Sequence, residues 1–109
     1  MADFQRVAEL SDIAEAGDLM YVEVDGEPVC LANANGEICA FTDICTHIGG
    51  PLSEGELEDD IITCPLHGAQ FNVHTGQVVR GPARQDIQIY AVKIEGEDIL
   101  VSLGDKDGR

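Results

Sequence analysis

Short stretches of apolar residues, separated by turn dipeptides, run along most of the chain and predict antiparallel β-strands. The stretches 19–24 and 28–33 flank Asp25-Gly26, and Asn35-Gly36 leads into a third stretch at 37–42. Asp-Gly and Asn-Gly favour two-residue hairpin turns, so this part of the chain predicts a three-stranded meander. No segment keeps a helical period over ten residues, which favours an all-β protein.

Further strands are predicted on both sides of this meander. They are residues 4–8, two short strands within 53–63, 69–73, 77–79, 87–94 and 98–103. Residues 9–17 predict a turn or a short irregular piece. The acidic turn 58–60 would join the two short strands and return the chain beside its earlier course. The alternation of Ile87, Ile89 and Ala91 predicts one buried face in the last hairpin.

Composition limits the partners that the protein can bind. At 109 residues the chain predicts one domain. Six Lys and Arg stand against 21 Asp and Glu, which gives a formal net charge of −15. Repulsion therefore argues against nucleic acid and anionic membranes as partners. The acidic surface fits either solubility alone or steering toward basic partner proteins, and charge by itself does not choose between them.

Two further features bear on the cellular compartment of the protein. No apolar run approaches the roughly 20 residues that a membrane-spanning helix needs. The N-terminus lacks a basic region followed by an apolar one, so it does not resemble a signal peptide. We therefore expect a cytoplasmic protein, and in a reducing compartment its four cysteines favour a metal site over disulfides.

The candidate chemistry lies between residues 45 and 67. Cys45-Thr46-His47 and Cys64-Pro65-Leu66-His67 each offer one thiolate and one imidazole at short spacing. Tetrahedral zinc and a [2Fe–2S] cluster both fit two sulfur and two nitrogen ligands, and the ligand types leave the two open. A buried cysteine pair with incidental histidines is the alternative without a metal. The other cysteines, Cys30 and Cys39, lie in apolar runs and predict buried side chains, and His74 predicts a surface position at a turn.

The residues around both pairs resemble the Rieske motif. The matching segments are Cys-Thr-His-Ile-Gly-Gly-Pro-Leu at 45–52 and Cys-Pro-Leu-His-Gly-Ala-Gln-Phe at 64–71. A Thr-Gly turn at 75–76 and a proline loop at 81–83 also resemble the family. The resemblance implies the Rieske fold, an antiparallel β-sandwich base with a small inserted cluster-binding subdomain. It implies a single domain over 1–109, with the base at about 1–42 and 84–109 and the subdomain at about 43–83.

The same resemblance implies one Rieske-type [2Fe–2S] cluster and its ligands. Cys45 and Cys64 would bind one iron through sulfur, and His47 and His67 the other iron through a ring nitrogen. The high-potential members of the family carry an extra cysteine in each loop and hydroxyl donors near the cluster. Here Gly50, Leu66, Ala69 and Phe71 stand at those positions. This implies a potential near the low end of the Rieske range, on the order of −150 mV.

The chain thus looks like the ferredoxin component of bacterial aromatic ring-hydroxylating dioxygenase systems. That likeness implies a soluble, monomeric one-electron carrier, not an enzyme and without catalytic residues, between an NAD(P)H-dependent flavoprotein reductase and a terminal Rieske non-haem iron oxygenase. The alternative is a small Rieske-like subunit of a nitrite-reductase-type enzyme. An oxygenase fragment would need a second iron held by two His and a carboxylate, and only His74 remains for it. A zinc-stabilised interaction module is a further alternative.

Overall fold

The computed structural model describes residues 4–45, 51–66, 68–81 and 85–103. Its ten strands are β1 (Gln5–Glu9), β2 (Leu19–Val24), β3 (Glu27–Ala34), β4 (Glu37–Thr42), β5 (Glu56–Glu58), β6 (Ile61–Thr63), β7 (Gln70–Asn72), β8 (Val78–Arg80), β9 (Ile89–Glu95) and β10 (Asp98–Ser102). Two short 3₁₀ helices are Leu10–Ile13 and Leu52–Glu54. Among the described residues, no helix has the length and apolar character needed to span a membrane.

Six strands form the larger sheet, in the order β1-β10-β9-β4-β3-β2, and every pairing is antiparallel. Its edge strands β1 and β2 contact each other, so the sheet curls around its own core. The remaining strands form a smaller antiparallel sheet in the order β5-β6-β7-β8. The all-β, antiparallel fold predicted from the sequence is confirmed.

Both hairpin turns of the meander are confirmed in detail. Val24 pairs with Glu27, which leaves Asp25 and Gly26 as a two-residue loop with φ values of 51° and 81°. Asn35 and Gly36 form the next loop, with φ values of 55° and 97°. Positive φ at both central residues matches the right-handed twist of the flanking strands, and Asp, Asn and Gly tolerate it best.

Strands β3 and β4 are the wall between two apolar cores. Val29 and Leu31 of β3 face a core enclosed by the larger sheet. Cys30, Ala32 and Ala34, on the other face of β3, join a second core with residues of the smaller sheet. This second core ties the two sheets together, and β3 is accordingly almost wholly buried.

Residues 10–13, within the stretch predicted as a turn or a short irregular piece, form one turn of 3₁₀ helix. Asp12 accepts a hydrogen bond from the Glu9 N–H at 2.9 Å and so caps the turn. One local expectation needs correction, the buried face of the last hairpin. In the last hairpin Ile87 is buried and Ile89 partly buried, but Ala91 is exposed. Tyr90 and Val92, in the alternate positions, pack against the core of the larger sheet instead.

Gly76 is a position where the fold requires glycine. Its φ is 81°, and a Cβ there would collide with the backbone carbonyl oxygen of Ile87, whose N–H donates to the Gly76 carbonyl at 2.8 Å. Gly26 has the same φ but no atom within 4 Å of a Cβ. Alanine substitutions at Gly76 and Gly26 therefore separate the stability lost to backbone strain from the stability lost to the steric collision.

We expect Gly76→Ala to lower the free energy of unfolding more than Gly26→Ala does. Both variants incur the left-handed penalty of roughly 1–2 kcal/mol. Only Gly76→Ala adds the overpacking cost of about 1–3 kcal/mol. Urea unfolding of the two variants in parallel measures the difference, and equal losses would show that the contact between Gly76 and Ile87 relaxes without cost.

Candidate metal centre

The first of the two motif loops leaves the larger sheet at the end of β4. Cys45 follows three residues after that strand and is 1% exposed. Ile44 forms an isolated antiparallel bridge with Pro51, so the chain returns beside itself directly after the loop. The backbone therefore pins both ends of the 45–50 loop and places the Cys45 thiol in the interior.

The second motif loop connects β6 and β7 of the smaller sheet. Thr63 pairs with Gln70, and inside that pair the Cys64 N–H donates to the Ala69 carbonyl at 2.8 Å. The Gly68 N–H donates back to the Cys64 carbonyl at 3.2 Å, with Gly68 at φ 78°. Glycine suits this left-handed position because it has no Cβ. Cys64 is 2% exposed at the start of this tight loop.

The two cysteines belong to one apolar cluster, although 19 positions separate them in the sequence. Its other buried members are Cys30, Ala32, Ala34, Cys39, Phe41, Leu52, Ile62, Ala69, Phe71, Val73 and Ile87. None of the four cysteines, all within the described part of the chain, forms a disulfide. Two buried thiols at the openings of two loops fit the sulfur half of the ligand set expected for an iron–sulfur cluster.

The nitrogen ligands of the expected set are the two histidines of the motif loops. His47 and His67 both lie outside the described residues, as does Pro82 of the proline loop. Within the described ranges, no three Cys, His, Asp or Glu side chains gather as a metal site would require. The structure thus brings Cys45 and Cys64 into one core, and all four ligands stay predictions.

Comparison with known proteins decides the family. Residues 3–91 match the model of the Rieske [2Fe-2S] domain. The chain belongs to the Rieske [2Fe-2S] domain family. Its cofactor is accordingly one Rieske-type [2Fe–2S] cluster, and the zinc alternative is set aside.

Two curated relatives and one solved structure match this Rieske chain over most of its length. It is 40% identical over 98 residues to the ferredoxin component of biphenyl 2,3-dioxygenase from Rhodococcus jostii (strain RHA1), covering 90% of this chain and 91% of that protein. It is 43% identical over 94 residues to the ferredoxin component of the naphthalene 1,2-dioxygenase system from Pseudomonas putida, covering 86% and 89%. It matches a chain of the complex of reduced oxygenase and oxidized ferredoxin in carbazole 1,9a-dioxygenase at TM-score 0.84 and 32% identity, covering 89% and 99%.

The remaining cysteines of the Rieske domain are buried, as predicted. Burial raises the pKa of the Cys39 thiol to about 11, and the charges of Glu37 and Asp60 add to the effect. Burial also raises the pKa of Cys30, with a smaller contribution from Asp43. Both cysteines lie on strands β3 and β4, outside the two motif loops, and pack among apolar side chains. This supports their interpretation as small apolar side chains of the core.

His74 is exposed at a turn, as predicted, but it has defined neighbours. Its Nδ1 lies 3.5 Å from the Cys39 Sγ and 3.8 Å from a carboxylate oxygen of Glu37. These residues border a surface cavity of about 210 Å³ between β4 and β9. The contact ties the 73–75 turn to β4.

The sequence analysis missed one polar pair at this site, Asp43 and Ser53. Asp43 is 5% exposed and precedes Cys45 by two positions, and both of its carboxylate oxygens accept hydrogen bonds from Ser53. An acidic residue between the apolar strand β4 and the predicted ligand Cys45 was the available signal. Its partner lies ten positions away across the first loop, so local sequence did not reveal the pairing.

Proposed function

We propose that the protein is the ferredoxin component of an aromatic-ring dioxygenase system, which carries one electron at a time to a terminal oxygenase. The observation that carries the proposal is the pair of buried cysteines at two Rieske loops, in a chain that spans about nine-tenths of the named ferredoxin components. When bound, the cluster supplies one reversible electron transfer.

We propose Cys45 and Cys64 as the ligands of the inner iron and His47 and His67 as the ligands of the outer iron. The burial of both cysteines supports this, because sulfur ligands held in an apolar core would keep water from an iron bound there. We also propose a single domain over 1–109, with the base at about 1–42 and 84–109 and the cluster-binding subdomain at about 43–83. The grouping of β5 to β8 into their own sheet supports this division.

The role of carrier rather than enzyme follows from what the chain contains. A Rieske oxygenase needs a second iron held by two His and a carboxylate. The whole sequence has three histidines, and the proposed cluster uses two of them. The chain spans 91% and 89% of the two named ferredoxin components, which supports the same role.

The partners in this proposal are an NAD(P)H-dependent flavoprotein reductase and a terminal oxygenase. The complex of oxygenase and ferredoxin, whose matching chain is covered to 99%, supports the second partner. We propose that the protein works as a monomer in the cytoplasm. Reducing equivalents from NAD(P)H are used there, and buried cysteines without disulfides suit a reducing compartment.

The surface beside the proposed cluster carries both apolar and acidic groups. Ile44 and Leu66, each next to a motif loop, are 46% and 54% exposed. Glu54 and Glu56 line a cleft of about 350 Å³ that reaches Cys64. Apolar contacts would hold a small, short-lived complex, and the carboxylates would attract Lys and Arg on the partner.

Reduction of the cluster by its cognate reductase should therefore slow as ionic strength rises. The net charge of −15 speeds encounter with basic surfaces. Added salt shortens its reach, with a Debye length of about 10 Å at 0.1 M. Stopped-flow bleaching of the cluster at several salt concentrations measures the association rate. An association rate that stays flat or rises with salt would show that apolar contacts govern docking. The acidic surface would then serve solubility alone.

The experiment that tests the function is reconstitution of electron transfer. Reductase, NAD(P)H and this protein are mixed, and the reduced protein is then added to oxygenase with its aromatic substrate. We expect rapid reduction followed by reoxidation coupled to product formation. No transfer to any aromatic-ring oxygenase, from a protein that holds its cluster, would contradict the proposal and favour the alternative, a small Rieske-like subunit of a nitrite-reductase-type enzyme.

A further inference from the structure

Asp43 fastens the first motif loop at both of its ends. Before the loop, the Asp43 N–H donates to the carbonyl of Pro28 on β3 at 3.0 Å. After the loop, its carbonyl accepts the Leu52 N–H at 2.8 Å, its Oδ1 accepts the Ser53 N–H at 2.6 Å, and its Oδ2 accepts the Ser53 hydroxyl at 3.1 Å. One residue thus makes four hydrogen bonds, three of them to the segment that follows the loop.

The carboxyl group of Asp43 is also taken out of water. The residue is 5% exposed, and the Ser53 N–H and hydroxyl supply one donor to each of its carboxylate oxygens. Donors on both oxygens are the partners that an ionised carboxylate requires. A buried charge is screened by salt far less than an exposed one.

Asp43 borders the core that contains the proposed iron ligands. Its carbonyl accepts the Leu52 N–H, and Leu52 packs in the same apolar cluster as Cys45 and Cys64. Asp43 is two positions from Cys45 along the chain. A fixed negative charge at this depth opposes the addition of an electron nearby.

We propose that Asp43 is a positioning residue that closes the Cys45 loop and, through its buried negative charge, holds the reduction potential of the cluster down. The proposal rests on the proposed cluster site. It adds a determinant of the potential from a residue that binds no iron.

The first test is Asp43→Asn, which removes the charge and keeps a side chain of the same shape. The Asn oxygen can still accept the Ser53 N–H, and its amide can donate to the Ser53 hydroxyl. The matched control is Asp59→Asn, which removes one charge at an exposed turn whose φ of 56° also suits Asn. Asp59 lies at the end of the β5–β6 hairpin opposite Cys64.

We expect voltammetry to show an upward shift of the potential in Asp43→Asn, larger than in Asp59→Asn. The shift should persist at 1 M salt, where the Debye length is about 3 Å, while any shift in the control disappears. A potential in Asp43→Asn no higher than in the control would overturn the charge effect.

The second test is Ser53→Ala, which keeps the Asp43 charge and removes one hydrogen bond of the clamp. We expect iron release to a chelator to become several-fold faster, with no upward shift of the potential. Release at the parental rate in both Asp43→Asn and Ser53→Ala would overturn the positioning role. If Asp43→Asn assembles no cluster, the release rate of Ser53→Ala decides. An iron and sulfide assay of the parent separates failure of this inference from failure of the proposed function.

Discussion

Cys45→Ala and Cys64→Ala should each yield a protein without cluster, colour or acid-labile sulfide. Each substitution removes one of the two thiolates proposed for the inner iron. Within the described part of the chain, the core around both cysteines is apolar and supplies no carboxylate or imidazole in their place. The apoproteins should also unfold at a lower temperature than the parent, because a cofactor that binds only the folded state stabilises it.

Cys30→Ala is the matched control for this loss. Cys30 belongs to the same buried cluster and loses the same atom, but it lies on β3, outside both motif loops. We expect full iron and sulfide content with only a modest loss of stability from the small cavity. Iron and sulfide analysis of the three variants separates ligand loss from core damage. A cluster that survives in Cys45→Ala or Cys64→Ala would remove that residue from the ligand set.

His67→Cys should keep part of the cluster and lower its potential. With two cysteine and two histidine ligands, the charges of two ferric ions, two sulfides and two thiolates cancel. A third thiolate adds one negative charge and disfavours reduction. All-cysteine plant-type clusters lie near −400 mV and Rieske clusters at −150 mV or above, so one replacement should cost about 100 mV.

The control for this prediction is His74→Cys, the same substitution at the histidine left outside the proposed ligand set. Its side chain contacts Cys39 and Glu37 at a surface turn. We expect the reduction potential of His74→Cys to stay within roughly a few hundredths of a volt of the parent's, because salt screens the charge of an exposed group. An unchanged potential in a His67→Cys protein that retains its cluster would show that His67 is not a ligand.

The parts of the fold that the sequence predicted best are those in which local chemistry decides the conformation. Asp25-Gly26 and Asn35-Gly36 adopt positive φ at both positions because few other residues can, and this fixes the register of β2, β3 and β4. The burial of Cys30 and Cys39 followed equally from their apolar neighbours. The metal motif was recognisable because two short loops each concentrate a thiol and an imidazole.

The features that the sequence could not predict depend on contacts between distant segments. Ala91 continues the alternation of Ile87 and Ile89, but β9 turns its other face to the core of the larger sheet. The hydrogen bonds between Asp43 and Ser53 join residues ten positions apart across the first loop. Both depend on how the two sheets pack, which no local pattern records.

The most direct test of the central claim is the metal content and spectrum of the purified protein. We expect two irons and two acid-labile sulfides per chain, a red-brown colour, uptake of one electron, and an EPR signal in the reduced state only. A colourless protein with one zinc per chain and no labile sulfide would contradict the account.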